Sequence, residues 1–305
     1  MALTDAAQAH PLFELVGDTP MVEITIFRAE FPEATVLAKL ESMNPGGSIK
    51  DRPVARMLLD AVADGKLGSG QVILDSSSGN AGIAYAMFGA ALGFPVEIVI
   101  PANASQERRR RLTAHGAQLV ITDAILGYDE ALREVQRRYE ADPARYFFSD
   151  QYSNDSNWLA HYEGTAVEIL AQAPEDFTHF VSGVGTGGTM TGVGRRLREE
   201  RPDVEIVGAL PPVFPGVEGL KPLGKGHIEP AILDRSVVDS WVEIDIDAAG
   251  NLSFELARAG IFAGQSSGAY LYAVRQILLR EPRACVVTVL PDGGDRYISS
   301  GLWEP

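Results

Sequence analysis

Residues 178–197 read THFVSGVGTGGTMTGVGRRL. A β-branched and aromatic run, 178–182, breaks into a glycine-rich turn and then into helical periodicity over 188–200. The same step from strand to helix recurs along the chain. Strand candidates are TVLAKL (35–40), VILD (72–75), VEIVI (96–100), AQLVI (117–121), VEIVGAL (204–210) and CVVTVL (285–290). Helical patterns at 50–64, 80–92, 105–115, 128–140 and 157–172 separate most of them. This rhythm predicts an α/β fold, with parallel sheets covered by helices. In such sheets ligands bind where strands hand over to helices, so the chemistry is sought at those junctions.

Composition narrows the function classes. The chain has 305 residues, a formal net charge of −15 and a hydrophobic fraction of 46%. So acidic a chain lacks the basic face that nucleic acid or an anionic membrane requires. The basic run Arg108–Arg111 lies in a helical stretch and reads as a solvated face. One cysteine is present, Cys285, inside an apolar strand candidate. It reads as a buried strand residue; no intrachain disulfide and no cysteine–histidine metal spacing can be drawn. Without such spacing no metal centre is expected, and the lack of a basic-then-apolar leader or a membrane-length apolar run predicts a cytoplasmic protein.

Four junctions carry polar residues in ligand-binding patterns. After strand 35–40 comes NPGGSIKDR (44–52), in which Ser48 and Asp51 have capping-box spacing and place Lys50 in the first helical turn. A helix N-terminus disfavours an ammonium there and favours the neutral amine that covalent carbonyl chemistry uses. DSSSGNAG (75–82) offers hydroxyls, a glycine and Asn80 ahead of helix 80–92, a natural carboxylate cradle. In SGVGTGGTMTG (182–192), Gly183, Gly185 and Gly188 match G-x-G-x-x-G, yet the next strand has its acid, Glu205, at the wrong end for a ribose. The run fits better as a cup for one phosphate monoester, built from the amides of Gly185–Thr189 and two threonine hydroxyls. AGQSSGAY (263–270) opens the last long helix with Ser266 at an N-cap position. GLKPLGKG (219–226) nearly spells a P-loop, but Gly226 stands where a hydroxyl must hold magnesium.

Taken in order and spacing, these four motifs resemble the cysteine synthase (O-acetylserine sulfhydrylase) and cystathionine β-synthase family, of pyridoxal-phosphate (PLP) fold type II. The likeness runs from GDTPMVEI (17–24) to LPDGGDRYISSGLW (290–303). It implies two three-layer α/β domains with PLP in the cleft between them: a smaller mobile one over 45–152, and a larger one from 1–44 and 153–305. Lys50 matches the lysine that carries PLP covalently and moves the Cα proton. Gly185, Thr186, Gly187, Gly188 and Thr189 match the phosphate loop, Asn80 the residue beside the ring hydroxyl, and Ser266 the serine at the pyridine nitrogen. Ser77, Ser78, Asn80 and Gln151 match positions around the substrate carboxylate.

The activity implied is β-replacement, making cysteine from O-acetylserine and sulfide through an α-aminoacrylate intermediate. Serine with homocysteine is an alternative, as is O-phosphoserine, for which Lys221 and Lys225 could face the anion; two solvated lysines are the plainer reading. A non-catalytic paralogue that binds an amino acid or a partner is a further one. A homodimer and a serine acetyltransferase partner are implied as well. One departure bears on substrate grip: Ala81 stands where the family usually has threonine, so Ser76 or Ser77 compensates or binding is looser.

Overall fold

The computed structural model describes residues 10–77, 79–224 and 227–304. It divides into two compact units. One comprises Lys50–Asn157 and the segment ending at Val16; the other comprises Gly17–Ile49 and Trp158–Pro305.

The first unit is built on four strands, β3 (Val72–Ser76), β4 (Val96–Pro101), β5 (Gln118–Thr122) and β6 (Tyr146–Phe148), in the order β5-β4-β3-β6. Every pairing is parallel. All six residues of β4 are buried, as expected of a strand covered on both faces. Helix Asn80–Leu92 (NAGIAYAMFGAAL) is apolar on nearly every side, and Tyr85 and Phe88 are fully buried. A helix of that composition has no face to offer to water, so it lies inside the packing. Each large side chain buried there contributes about 1.5–3 kcal/mol.

The second unit has six strands in the order β1-β2-β10-β7-β8-β9. They are β1 (Met21–Glu23), β2 (Thr35–Leu40), β7 (His179–Gly183), β8 (Glu205–Leu210), β9 (Ser240–Glu243) and β10 (Cys285–Leu290). Only β1 runs antiparallel to its neighbour. Helix Gln265–Arg280 supplies ten buried residues to this core. Within β2, Lys39 is wholly buried; its ammonium lies 2.7 Å from Glu168 and donates to the Thr19 carbonyl and to Gln172. A buried ammonium needs such partners, and losing one strands the charge.

Two features depart from the sequence expectation. The stretch 157–172 is not one helix but Asp155–Ala160, a π turn over His161–Thr165 and Ala166–Gln172. Opposite the π turn, Gly192 approaches so closely that a Cβ would sit 2.3 Å from the Trp158 carbonyl oxygen. Cys285 opens β10 half-buried rather than sealed in the strand interior, and burial raises its thiol pKa.

Candidate active site

In the first unit the site residues sit at the carboxyl ends of parallel strands. Strand β3 ends in Asp75-Ser76, and Ser77 comes next, buried, with its hydroxyl accepting from the Gly79 amide. Asn80 is the first residue of helix Asn80–Leu92, and no side chain caps that helix. Ser78, expected at the substrate carboxylate, lies outside the described residues. Ala81 is buried in the first turn.

Lys50 stands one residue earlier than expected. It is the N-cap of helix Asp51–Ala63, with no side-chain cap, and its carbonyl accepts from Val54. Ser48 is fully buried, and its backbone forms a bridge to Asp292. The partly exposed Lys50 therefore lies at the positive end of a 13-residue helix, where the neutral amine is favoured.

Gln151 is the other substrate-loop residue, and its setting introduces a group the sequence reading missed. Asp75, fully buried, accepts from Gln151 Nε2 at 2.9 Å, from Ser149 Oγ at 2.8 Å and from the Ser76 amide at 2.6 Å. Ser149 has one hydroxyl hydrogen and gives it to Asp75, so Tyr85 Oη donates to Ser149 in turn. The chain Tyr85–Ser149–Asp75–Gln151 holds one N–H of the Gln151 carboxamide in place, with 5% of the residue exposed. The backbone before it is unusual: Asp150 has φ 45°, the left-handed region that aspartate tolerates better than most residues. The available signal was an acid closing an otherwise apolar strand, in VILD.

In the second unit, β7 runs into the glycine–threonine loop. Gly187 takes φ 89° at the N-cap of helix Gly188–Glu200, and no side chain caps that helix either. Thr186 and Thr189 are buried, and Gly185 is half-buried. Behind Thr189 stands His161, whose Nε2 is 3.3 Å from Thr189 Oγ1 and whose Nδ1 is 2.9 Å from Thr165 Oγ1. His161 too was missed; it comes from the π turn, which no pattern in the sequence announces. Ser266 is the second residue of helix Gln265–Arg280, not its cap; Gly264 holds the cap position. Beneath the loop, Tyr270 is buried against Gly183, and burial pushes its phenol up to about 12. It stays a neutral phenol.

These donors suit PLP. A left-handed glycine leading into an uncapped helix N-terminus, with two buried hydroxyls, is what a phosphate monoester needs. Lys50, on its own helix N-terminus, could supply the amine for the aldehyde. Ser266 offers an uncharged hydroxyl, which suits an unprotonated ring nitrogen.

Burial is the main reason that Asp75 is raised from 3.8 to about 6, its hydrogen bonds opposing the shift. The folded chain thus binds this proton more tightly than the unfolded chain. The stability gained is fully present below about pH 4 and is lost as pH rises through about 6. A rise of that size corresponds to about 3 kcal/mol. In urea unfolding at pH 4 and pH 7, wild type should lose that much more stability than Asp75→Asn. Equal pH dependence of the two proteins would refute it.

Comparison with known proteins identifies the family. The family model described as pyridoxal-phosphate dependent enzyme matches residues 12–292. A cysteine synthase of Aquifex aeolicus is 43% identical over 301 residues, which covers 96% of this chain and 92% of that one. The crystal structure of an O-ureido-L-serine synthase superposes with a TM-score of 0.90 at 37% identity, covering 96% of this chain and 94% of the other. A cysteine synthase from Entamoeba histolytica does so with a TM-score of 0.89 at 32% identity, covering 97% and 91%. Lysine, phosphate loop and near-full-length likeness lead to one conclusion: this chain belongs to the family of pyridoxal-phosphate-dependent enzymes of fold type II.

Proposed function

We propose that the chain makes L-cysteine by β-replacement, exchanging the acetate of O-acetyl-L-serine for sulfide. The observation that carries this reading is the glycine–threonine turn at the uncapped N-terminus of helix Gly188–Glu200. A cup of that size suits a single phosphate, and the near relatives that share the fold are cysteine synthases.

Residues 185–189 would hold the PLP phosphate, Asn80 the ring hydroxyl and Ser266 the ring nitrogen. When bound, PLP supplies an electron sink for charge developing at the substrate Cα. Lys50 Nζ takes the Cα proton and returns it after the new bond to sulfur has formed. The hydroxyl of Ser266 does not protonate the ring nitrogen, and the nearby helix N-terminus disfavours positive charge on it. This weakens delocalisation into the ring and favours loss of a β-substituent over racemisation. Ser77, Asn80 and Gln151 bind the substrate carboxylate, with Gln151 oriented by Asp75. The hydroxyl missing at Ala81 leaves more of that task to Ser77 and Gln151.

Removing the proton-transfer group should lower kcat by roughly 10²–10⁴-fold, so Lys50→Ala is expected to fall by that factor and to give no borohydride-fixed cofactor adduct. Gln151→Ala should instead raise KM for O-acetylserine more than it lowers kcat. A Lys50→Ala enzyme within tenfold of wild type would remove the basis of the proposal.

Lys221 supports a second reading, in which phosphate is the leaving group. Its Nζ is buried rather than solvated, and its amide donates to the Val184 carbonyl at 2.7 Å, beside the phosphate loop. Lys225 lies outside the described residues. Lys221→Ala should then impair O-phosphoserine turnover more than O-acetylserine turnover; an equal loss for both discards phosphate.

We also place the protein in the cytoplasm as a homodimer that binds serine acetyltransferase. The family resemblance supports this, as do Val213 and Phe214, which are 69% and 89% exposed. Among the described residues no helix is long and apolar enough to cross a membrane. Sedimentation of the chain alone and with a serine acetyltransferase tests both associations; a monomer that sediments unchanged counts against them.

A further inference from the structure

At the amino-terminal end of β7 and β8, far from the glycine loop, three ligand-type side chains converge. His179 and Glu205 are register partners at the first positions of the two strands, and Glu281 caps the end of helix Gln265–Arg280. Their ligand atoms all lie within 4.8 Å of one another, the one such grouping among the described residues. His179 Nε2 is 3.3 Å from Glu205 Oε2 and 3.6 Å from Glu281 Oε1. The His179 side chain is only 3% exposed, and its Nε2 makes no hydrogen bond.

The surroundings orient each ligand. Thr178 Oγ1 lies 3.0 Å from the Cys285 carbonyl, which can only accept, and 2.7 Å from His179 Nδ1. With the hydroxyl hydrogen on the carbonyl, the threonine oxygen accepts from Nδ1–H and the Nε2 lone pair points at the two carboxylates. Metal-binding histidines are held in the same way, their second ring N–H fixed by an acceptor behind them. On Glu205, Oε1 is engaged by Ser240 Oγ at 2.8 Å and by Arg280 at 3.9 Å, which leaves Oε2 facing His179.

A lone pair aimed at two carboxylate oxygens is repulsive unless a cation lies among them. We propose that His179, Glu205 and Glu281 form a zinc site, with water as the fourth ligand. The two distances to His179 match that ion. Tetrahedral zinc with bonds of about 2.0–2.1 Å sets its ligand atoms about 3.4 Å apart, between the two distances to His179. An octahedral ion such as magnesium, with bonds of about 2.1 Å, would draw adjacent ligands to about 3.0 Å. The ion would pin two strand starts to the end of the helix whose other end carries Ser266. It is distinct from the catalytic residues and takes no part in the reaction proposed above.

The test is titration of untagged, chelator-treated holoenzyme with Zn²⁺, and with Co²⁺ as a spectroscopic probe. One saturable equivalent per chain and the visible bands of tetrahedral cobalt are expected. Glu281→Gln should weaken binding at least about tenfold, and His179→Gln should abolish the cobalt bands. Glu281 is 52% exposed, so its substitution leaves the core intact and decides the matter even if His179→Gln fails to fold. Absence of a saturable equivalent, or identical binding by wild type and Glu281→Gln, would overturn the proposal.

Discussion

Parallel strand pairing is the constraint on which this molecule's chemistry depends. Because neighbouring strands point the same way, each sheet gathers its carboxyl ends along one edge, and the chain leaving each strand must turn there into a helix. In the first unit that edge carries Asp75, Ser77 and Asn80; in the second it carries Gly183, the loop behind it and Asp292. Helix N-termini accumulate at the same places and bring unpaired amides and positive potential. Among the described helices, those beginning at Asp51, Asn80, Gly127, Gly188 and Gln265 receive no side-chain bond from the residue in the cap position. A globular protein usually satisfies such ends with its own serine or aspartate, as Asp245 does for the Ala248 amide in helix Ile246–Arg258. At Gly188 the residue in the cap position is a left-handed glycine, which lets the backbone approach an anionic guest closely.

Much of this was legible in the sequence, and the limits have physical causes. The long apolar strands and their helices were readable because burial on both faces writes itself as continuous β-branched runs. Strands β1, β6 and β9 escaped notice. Each is only three or four residues long and lies at a sheet edge, too short to show a period; in β1 and β9 partial exposure also dilutes the apolar signal. The glycine–threonine loop was readable because it needs residue types few other settings use. The last cap was not: Ser266 has the right chemistry at the right spacing, but the cap position falls to Gly264.

Asp75 shows the same limit from the other side. Its carboxyl is isolated in sequence from Gln151, Ser149 and Tyr85, and only the fold brings them together. A buried acid with three donors is costly to desolvate yet specifies one arrangement of its neighbours. Lys221 makes a related point. In sequence it reads as one of two lysines in a glycine- and proline-rich segment; in the fold its amide is fixed to Val184 and its ammonium is out of water.

The π turn at His161–Thr165 has a geometric consequence. Its defining bond joins the Ala166 amide to the His161 carbonyl, five residues back, so the turn absorbs one residue more than a regular helix would. Each residue of an ordinary helix advances the side chains by about 100°, and this turn therefore sets the angular phase of everything up to Gln172. Shortening it by a residue would rotate Glu168 away from the Lys39 ammonium and Gln172 with it. A detail placed behind Thr189 thus also decides whether a charged group buried within β2 keeps its counterion.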